Sequence, residues 1–259
     1  MLRLYQLVLS AIEQAFPEIA GAVPAPVMTV RNSLTVFRYE DQTVEQALVL
    51  KLARTNSGLN AAIILLISGY IQELRAHYRM LDEFGEDVVF LGDVIVTGEV
   101  TPLQERYLID FWAEEFDVDG NPLQSSQKRD RIGRDKIQAA IARQEVSPVN
   151  PSDGQAVHRT LVKTNSGYIH GASPHIMELY GGEPGRFHLT GMAGTPVMNF
   201  ALKEAGNYIY RGLLMNNHVA MLLGCETAER ELRRVKGLYE AETGAGQGDA
   251  QEMIKAQKK

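Results

Sequence analysis

Hydrophobic residues recur at helical spacing along most of the chain. In the longest periodic stretch, residues 59–91, apolar side chains return at steps of three, four and seven residues: Ile63, Ile67, Ile71, Leu74, Tyr78, Leu81 and Val88. Such steps place side chains on one face of an α-helix. The first half of the stretch is apolar nearly all round, which is typical of a helix in the middle of a fold. The pattern predicts one long central helix over 59–91.

Shorter helical patterns surround this stretch. They predict helices over 2–16, from 43 to about 54, from 101, from about 122 to 146, from 152 to about 168, and from 195 onward. Pro17 is expected to end the first helix. Thr43 with Gln46, and Thr101 with Gln104, have the spacing of capping boxes. The polar run at 55–58 is expected to separate the second helix from the central one, and residues 92–100 are expected to be a linker.

The sum of these patterns predicts an all-α, mostly helical fold, a multi-helix bundle around a long central helix. We expect a single helical domain over 1–242 and a disordered C-terminal tail over 243–259, because the tail lacks apolar periodicity. One segment departs from the helical pattern. Residues near 27–39 are rich in β-branched side chains, which is typical of either a short β-hairpin turning at Asn32-Ser33 or an extended arm.

Composition narrows the class of protein. The 259 residues are 45% hydrophobic and 22% charged, as in globular proteins. A net charge of −6 argues against attraction of the whole molecule to nucleic acid. Cys225 is the single cysteine, which excludes an intrachain disulfide and is typical of a reducing compartment. No stretch is apolar enough to predict a bilayer span. We therefore expect a cytoplasmic protein with no membrane partner.

Charge is unevenly distributed in the middle of the chain. The helix that begins at 101 has an acidic end, and basic residues dominate 128–143. Two interpretations remain open. The segments are either solvated helices with complementary surfaces, or the basic segment binds a phosphate backbone.

Proton-active side chains are densest within residues 161–196, among glycines and prolines. Histidine is the usual residue for proton transfer near neutral pH, and cations stabilise charge that develops on a phosphate. One hypothesis is therefore acid–base chemistry on a phosphodiester, with His170 as the acid or base and Lys163 or Arg186 holding phosphate. Its predicted site is His170, Lys163, Tyr168, Arg186 and His188. The alternative for each histidine is a structural role.

A metal site is the competing chemical hypothesis for this block. His175 and Glu178 lie three residues apart, and Glu73 and His77, four apart on the central helix, could turn inward to complete such a site. The repeated Glu-x-x-His signature of helical dimetal centres is absent. We therefore predict neither a metal nor a cofactor.

A short internal similarity is also present. Residues 52–58 read LARTNSG and residues 161–167 read LVKTNSG. The similarity fades on both sides. It is explained either by chance or by two copies of one helix-bend-helix unit, in which Asn56 and Asn165 would occupy equivalent places.

The stretches YIHGASPHIMELYGG and RFHLTGM, together with QELRAHYRMLDE on the central helix, resemble a group of uncharacterised bacterial all-helical proteins. Some of these are grouped with HEPN-like defence or toxin proteins, and the resemblance covers about a quarter of the chain. HEPN-type ribonucleases place an arginine and a histidine a few residues apart on one helix. Here six residues separate Lys163 from His170, and lysine stands in place of arginine.

Two functional hypotheses follow. The resemblance implies a HEPN-like, RNA-acting or defence-associated bacterial protein that uses His170. The alternative is a non-catalytic helical interaction or scaffold protein that forms a homodimer through the aromatic face of residues 103–116. The predicted partners are accordingly RNA or a second copy of the chain.

Overall fold

The computed structural model describes residues 1–31, 34–116, 122–144 and 165–246. These residues are mostly helical, which confirms the predicted all-α class. The helices are α1 (Leu2–Gly21), α2 (Val44–Ser68), α3 (Ile71–Thr97), α4 (Pro102–Trp112), α5 (Arg134–Gln144), α6 (Ser173–Met177), α7 (Val197–Leu222) and α8 (Glu226–Thr243), with a 3-10 turn at Pro122–Gln124. Two small antiparallel hairpins complete the described fold: β1 (Val27–Arg31) with β2 (Leu34–Arg38), and β3 (Tyr180–Gly181) with β4 (Arg186–Phe187).

The predicted central helix is instead two helices, α2 and α3. The chain breaks at Gly69, which caps α2 with φ of +77°. A side chain there would be strained, and it would also overlap the backbone of Ala193, whose neighbour Met192 donates its main-chain NH to the Gly69 carbonyl. The predicted break at 55–58 is wrong, because those residues lie inside α2. The predicted linker at 92–100 is wrong as well, since α3 continues to Thr97.

The helix with the most neighbours is α7, which packs against α1, α2, α3 and α8. Gly206 and Gly212 do not break it, whereas Gly224, with φ of +69°, lies between α7 and α8. Leu59 of α2 reaches into the space above Gly212, and the Tyr5 hydroxyl of α1 lies over Gly206. Small residues on α7 thus let neighbouring helices approach closely. Buried apolar side chains from six helices, α7 among them, form one core.

Local sequence signals account for several helix ends. Both capping boxes are present, with Thr43 and Thr101 each accepting from the main-chain NH three residues later. Pro17 does not end α1, so that prediction is wrong: the helix continues to Gly21 and keeps Ile19 fully buried in the core. The hairpin alternative for residues 27–39 is confirmed, with Met28 opposite Phe37 and Arg31 opposite Leu34.

None of the helices within the described ranges combines the length and the apolar character needed to cross a bilayer. Residues 247–259, which make up most of the predicted tail, lie outside the described residues, as do the predicted linker at 147–154 and most of the helix predicted from 152.

Candidate functional site

The residues of the predicted phosphodiester site are spread along the segment that precedes α7. Tyr168 lies in a helical turn at 165–169, and His170 follows it in an exposed bend. Arg186 lies exposed in β4, and His188 comes directly after that strand, half-buried. Lys163 lies outside the described residues.

Arg75 of α3 joins this segment to the helical body. It is only 6% exposed, although it is charged. Its Nη1 lies 2.5 Å from Glu178 Oε2 and 2.8 Å from the Tyr168 hydroxyl, and its Nε lies 3.1 Å from Glu204 Oε2 of α7. The Tyr168 hydroxyl in turn donates to the Glu178 carboxylate, 2.9 Å away. One buried guanidinium therefore links α3, α7 and the 165–188 segment.

This arrangement constrains the chemistry of Tyr168. Burial, together with the hydrogen bond to Glu178, raises the pKa of Tyr168 to about 12. The phenol therefore stays protonated at neutral pH and serves as a hydrogen-bond donor. Arg75 is already compensated by two carboxylates, so it is not a free cation for a phosphate. We interpret this network as a latch that holds the segment on α3.

His175 has a packing role. Its ring meets the Tyr168 ring edge-on, with centroids 4.4 Å apart, and a Cβ on Gly167 would overlap the imidazole. The His175 carbonyl accepts a hydrogen bond of 2.7 Å from Gln72 of α3. These contacts support the structural alternative for this histidine.

Within the described residues, no hydrogen bond or ion pair joins His170, Arg186 and His188 to one another. His188 donates its main-chain NH to the Leu179 carbonyl at 2.8 Å, a contact across the base of the β3–β4 hairpin. The His170 side chain is exposed and makes no hydrogen bond or ion pair with a latch residue in the described part of the chain. The catalytic assignment of these three residues stays a prediction.

A second polar network lies next to the latch and was not predicted. Asp82 of α3 accepts from Arg211 at 2.6 Å and from the Tyr208 hydroxyl at 3.2 Å, and Asn165 donates to that same hydroxyl at 2.8 Å. The Tyr208 ring stacks on Tyr78 with centroids 3.7 Å apart. The sequence did contain one indication of this network. Four charged residues recur at steps of three and four, which places them on one face of a buried helix: Arg75, Arg79, Asp82 and Glu86.

The inward-facing pair of Glu73 and His77 is not observed, so that part of the metal hypothesis is wrong. Glu73 is exposed, and His77 turns toward α2, where its Nε2 lies 2.8 Å from the Gly58 carbonyl. Within the described ranges no three histidine, cysteine, aspartate or glutamate side chains are grouped so as to hold a metal ion.

The two TNSG sequences make similar contacts. Asn56 donates its side-chain amide to Asn216 of α7, and Asn165 donates to Tyr208 of the same helix. The glycine two positions later lies in each case under an imidazole, His77 over Gly58 and His175 over Gly167. In each copy, the asparagine forms a hydrogen bond to α7 and the glycine leaves room for a histidine ring. The two copies therefore have the same packing role. Thr164 and the residues before it lie outside the described part.

Two half-buried histidines predict a pH dependence of stability. Burial lowers the pKa of His77 and of His218 below the ordinary value near 6.5. As pH falls through about 6.5, the unfolded chain therefore binds more protons than the folded chain does. The neutral imidazoles contribute their full stability above that pH, and this contribution is progressively lost below it. We expect the melting temperature to fall between pH 7.5 and 5.5. The variant with both His77→Gln and His218→Gln should show a shallower fall, and an unchanged slope would contradict this.

The charged middle segments pair with each other. Arg129 contacts Asp110 at 2.8 Å and Glu115 at 2.5 Å, while Arg134 contacts Asp87 of α3 at 2.6 Å. Residues 125–133 are not helical, which corrects the predicted helix from 122; the helix begins only at Arg134. The pairing favours the interpretation of complementary surfaces over the phosphate-binding one.

The aromatic face of residues 103–116, predicted to mediate dimer formation, is turned largely toward the body. Tyr107 meets Phe90 of α3 edge-on with centroids 5.6 Å apart, and Phe111 meets Trp112 at 4.9 Å. Both contacts lie against the hydrophobic core. Dimer formation through this face stays a prediction, and the structure offers a second candidate.

That candidate is the β1–β2 hairpin, here called the arm and defined as residues 27–38 without the undescribed positions 32 and 33. Its strands pair with each other and make few close backbone contacts with the helices. Met28, Val30 and Phe37 share one face and are 69%, 66% and 63% exposed. At its base, Arg38 forms an ion pair of 2.6 Å with Glu114, and Tyr39 contacts Trp112. The arm thus presents a largely exposed apolar face from a fixed base.

Comparisons with protein-family models, with curated proteins and with solved structures each find no match.

Proposed function

We propose that the protein is a non-catalytic interaction protein that works as a homodimer, and that the arm is its contact element. The observation that carries this proposal is the exposed face of Met28, Val30 and Phe37. An isolated two-stranded hairpin is marginally stable in water, and antiparallel sheets ordinarily bury their apolar face. Contiguous exposed apolar surface of this kind is typical of an association site.

The 165–188 segment supports the same proposal by what it lacks. The buried cation that it meets, Arg75 of α3, is occupied by Glu178 and Glu204. Among the described residues, no hydrogen bond or ion pair joins His170 to a second group of the predicted catalytic set. RNA cleavage through His170 remains the competing hypothesis, and a separate cleavage assay on labelled RNA tests it.

The test is the molar mass of the purified protein by size-exclusion chromatography with light scattering. We expect twice the chain mass of 28.7 kDa. The variant with both Met28→Thr and Phe37→Thr should weaken the dimer by roughly 100-fold, because it removes two apolar anchors from the interface. Threonine keeps the β propensity of the strands, so the circular dichroism spectrum should not change.

The matched control carries Ile64→Gln and Ile67→Gln, two isoleucines of α2 that are 66% and 55% exposed. It should remain dimeric. A monomeric wild type, or a dimer lost in the control and kept in the arm variant, would refute the proposal. So would cleavage of labelled RNA that disappears with His170→Ala, since that would make the protein catalytic.

A further inference from the structure

A groove of about 750 Å³ lies between the turn that follows β2 and one face of α4. Its α4 wall consists of residues at helical spacing, so that they share one face of the helix: Glu105, Leu108, Ile109 and Trp112. Val100, just before the helix, continues this wall. Val100 is 51% exposed and Ile109 is 66% exposed. The groove therefore has an apolar wall that is open to solvent.

The charged residues that line the groove are both acidic. Asp41 belongs to the turn and Glu105 to the first turn of α4. Both residues are exposed, and neither forms an ion pair within the described part of the chain. The groove thus presents two carboxylates without a cation beside its apolar wall.

The other carboxylates in and directly after α4 already meet arginines of the same chain. Glu114 pairs with Arg38 at 2.6 Å. Arg129 pairs with Asp110 at 2.8 Å and with Glu115 at 2.5 Å. This region is therefore a surface to which arginine side chains bind, and the groove is the part of it for which the described residues supply no cation.

We propose that the groove binds a cationic amphipathic segment of a partner protein. The apolar side chains of the segment lie on Val100 and Ile109, and its lysine or arginine side chains meet Asp41 and Glu105. Charge selects this occupant, because the two carboxylates repel an anionic segment and lose water without compensation under a neutral one. The inference goes beyond the proposed homodimer and does not depend on it, since the groove and the exposed face of the arm consist of different residues.

The dimensions of the groove suit a short helical segment. Its volume of about 750 Å³ lies within the range of clefts that hold ligands, about 300–1,000 Å³. Residues 105–112 span roughly 10 Å of α4, which is two helical turns. A partner helix that carries apolar side chains on one face, flanked by basic ones, matches a wall of this length.

Trp112 provides the signal for the test, because it is the single tryptophan of the chain and it lines the groove. The probe is a synthetic peptide of leucine and lysine, roughly 18 residues long so that it forms a helix, with the leucines on one face. The same peptide with glutamate in place of lysine serves as the comparison. We expect the lysine peptide to change the fluorescence emission of Trp112 until it saturates, and the glutamate peptide to leave the emission unchanged.

Variants of the protein locate the binding. Asp41→Asn with Glu105→Gln should weaken binding of the lysine peptide roughly tenfold, because two charge pairs are lost. The matched control, Glu226→Gln with Glu242→Gln, removes the same two charges from exposed positions of α8 and should keep the wild-type affinity. Ile109→Gln should also weaken binding roughly tenfold by removing an apolar anchor. Because that side chain is largely exposed, this variant should keep the wild-type circular dichroism spectrum.

Several outcomes would overturn the inference. One is a lysine peptide that leaves the Trp112 emission unchanged, and another is an equal loss of affinity in the groove variant and in the α8 control. Equal binding of the glutamate peptide would exclude recognition of a cation. If Asp41→Asn with Glu105→Gln converted a dimeric protein to a monomer, the groove would hold a second copy instead. A monomeric wild type that binds the lysine peptide would refute the proposed homodimer and support the groove.

Discussion

Arg75→Met is expected to lower the free energy of unfolding by roughly 3 kcal/mol, the lower part of the range for breaking a buried ion pair. Methionine keeps the aliphatic stem but removes the guanidinium that bonds Tyr168, Glu178 and Glu204. The Glu204 carboxylate is then left without its cation in a largely buried site. Because Glu178 is partly exposed, water recovers some of its solvation, which is why we choose the lower figure. The measurement is chemical denaturation at pH 7.

The control is Arg234→Met, which breaks an exposed pair with Glu231 three residues earlier on α8. Exposed pairs of this kind contribute little, so we expect no measurable change. A second variant, Arg75→Met with Glu204→Gln, should recover part of the loss, because no unpaired carboxylate of Glu204 remains. Equal losses for Arg75→Met and Arg234→Met would show that the latch does not stabilise the fold.

The latch also determines how the 165–188 segment is held. If Arg75 supplies its main attachment to α3, then Arg75→Met should open this segment before the helical body unfolds. Limited proteolysis would then cut near the exposed His170 bend in the variant at conditions where wild type resists. This distinguishes a latch from a general contribution to the core.

Features fixed by near neighbours in sequence were predictable. The capping boxes at Thr43 and Thr101 depend on a side chain and a backbone group only three residues apart, so the residue types suffice to identify them. The same holds for the hairpin at 27–38, where the β-branched residues favoured strands. The all-α class followed from apolar periodicity alone.

Features that depend on distant partners were not predictable. A polar run such as 55–58 is typical of a loop, and only Asn216, 160 positions away, makes Asn56 suitable for a helix interior. Pro17 and Gly92 are ordinary stop signals, yet both lie within helices whose buried faces continue beyond them. Tertiary packing outweighed local propensity at each of these positions.

The candidate site shows the same limit. Tyr168 was singled out as part of a catalytic set, whereas its nearest charged partners are Arg75 and Glu178. Arg75 is 103 positions from Glu178 and gave no sign in the sequence of which residue it would meet. The density of histidines identified the segment but not its contacts. A histidine that only packs in a bend raises this density as much as a catalytic one does. Buried charge on α3, by contrast, could have been inferred from the charges repeated along its face.

The hairpin structure of the arm was predicted from the sequence, but the exposure of its apolar face was not. The β-branched residues of 27–38 favour strands, but they do not tell whether a helix covers those strands. The sequence instead drew attention to the aromatic residues of 103–116, which fill the space between α4 and the core. Large aromatic side chains serve equally in cores and at interfaces, so only the fold separates the two uses.

Asn216→Ala is also expected to lower the free energy of unfolding by roughly 3 kcal/mol. Asn216 is fully buried and exchanges two hydrogen bonds with Asn56, of 2.8 and 3.0 Å, while also donating to the Gly212 carbonyl. Alanine leaves the Asn56 amide unpaired and opens a small cavity between α2 and α7, and each of these effects costs roughly 1–3 kcal/mol.

A double-mutant cycle isolates the pair. In Asn56→Ala with Asn216→Ala no unpaired amide of the pair remains, so the double variant should lose less stability than the two single losses added together, by roughly 1–2 kcal/mol. Asn207→Ala, at an exposed position of the same helix, should be neutral or slightly stabilising because alanine favours helix. Strictly additive losses would mean that the reciprocal amide pair does not couple α2 to α7. In that case the asparagine of the first TNSG sequence would require a different explanation, and so would its similarity to Asn165.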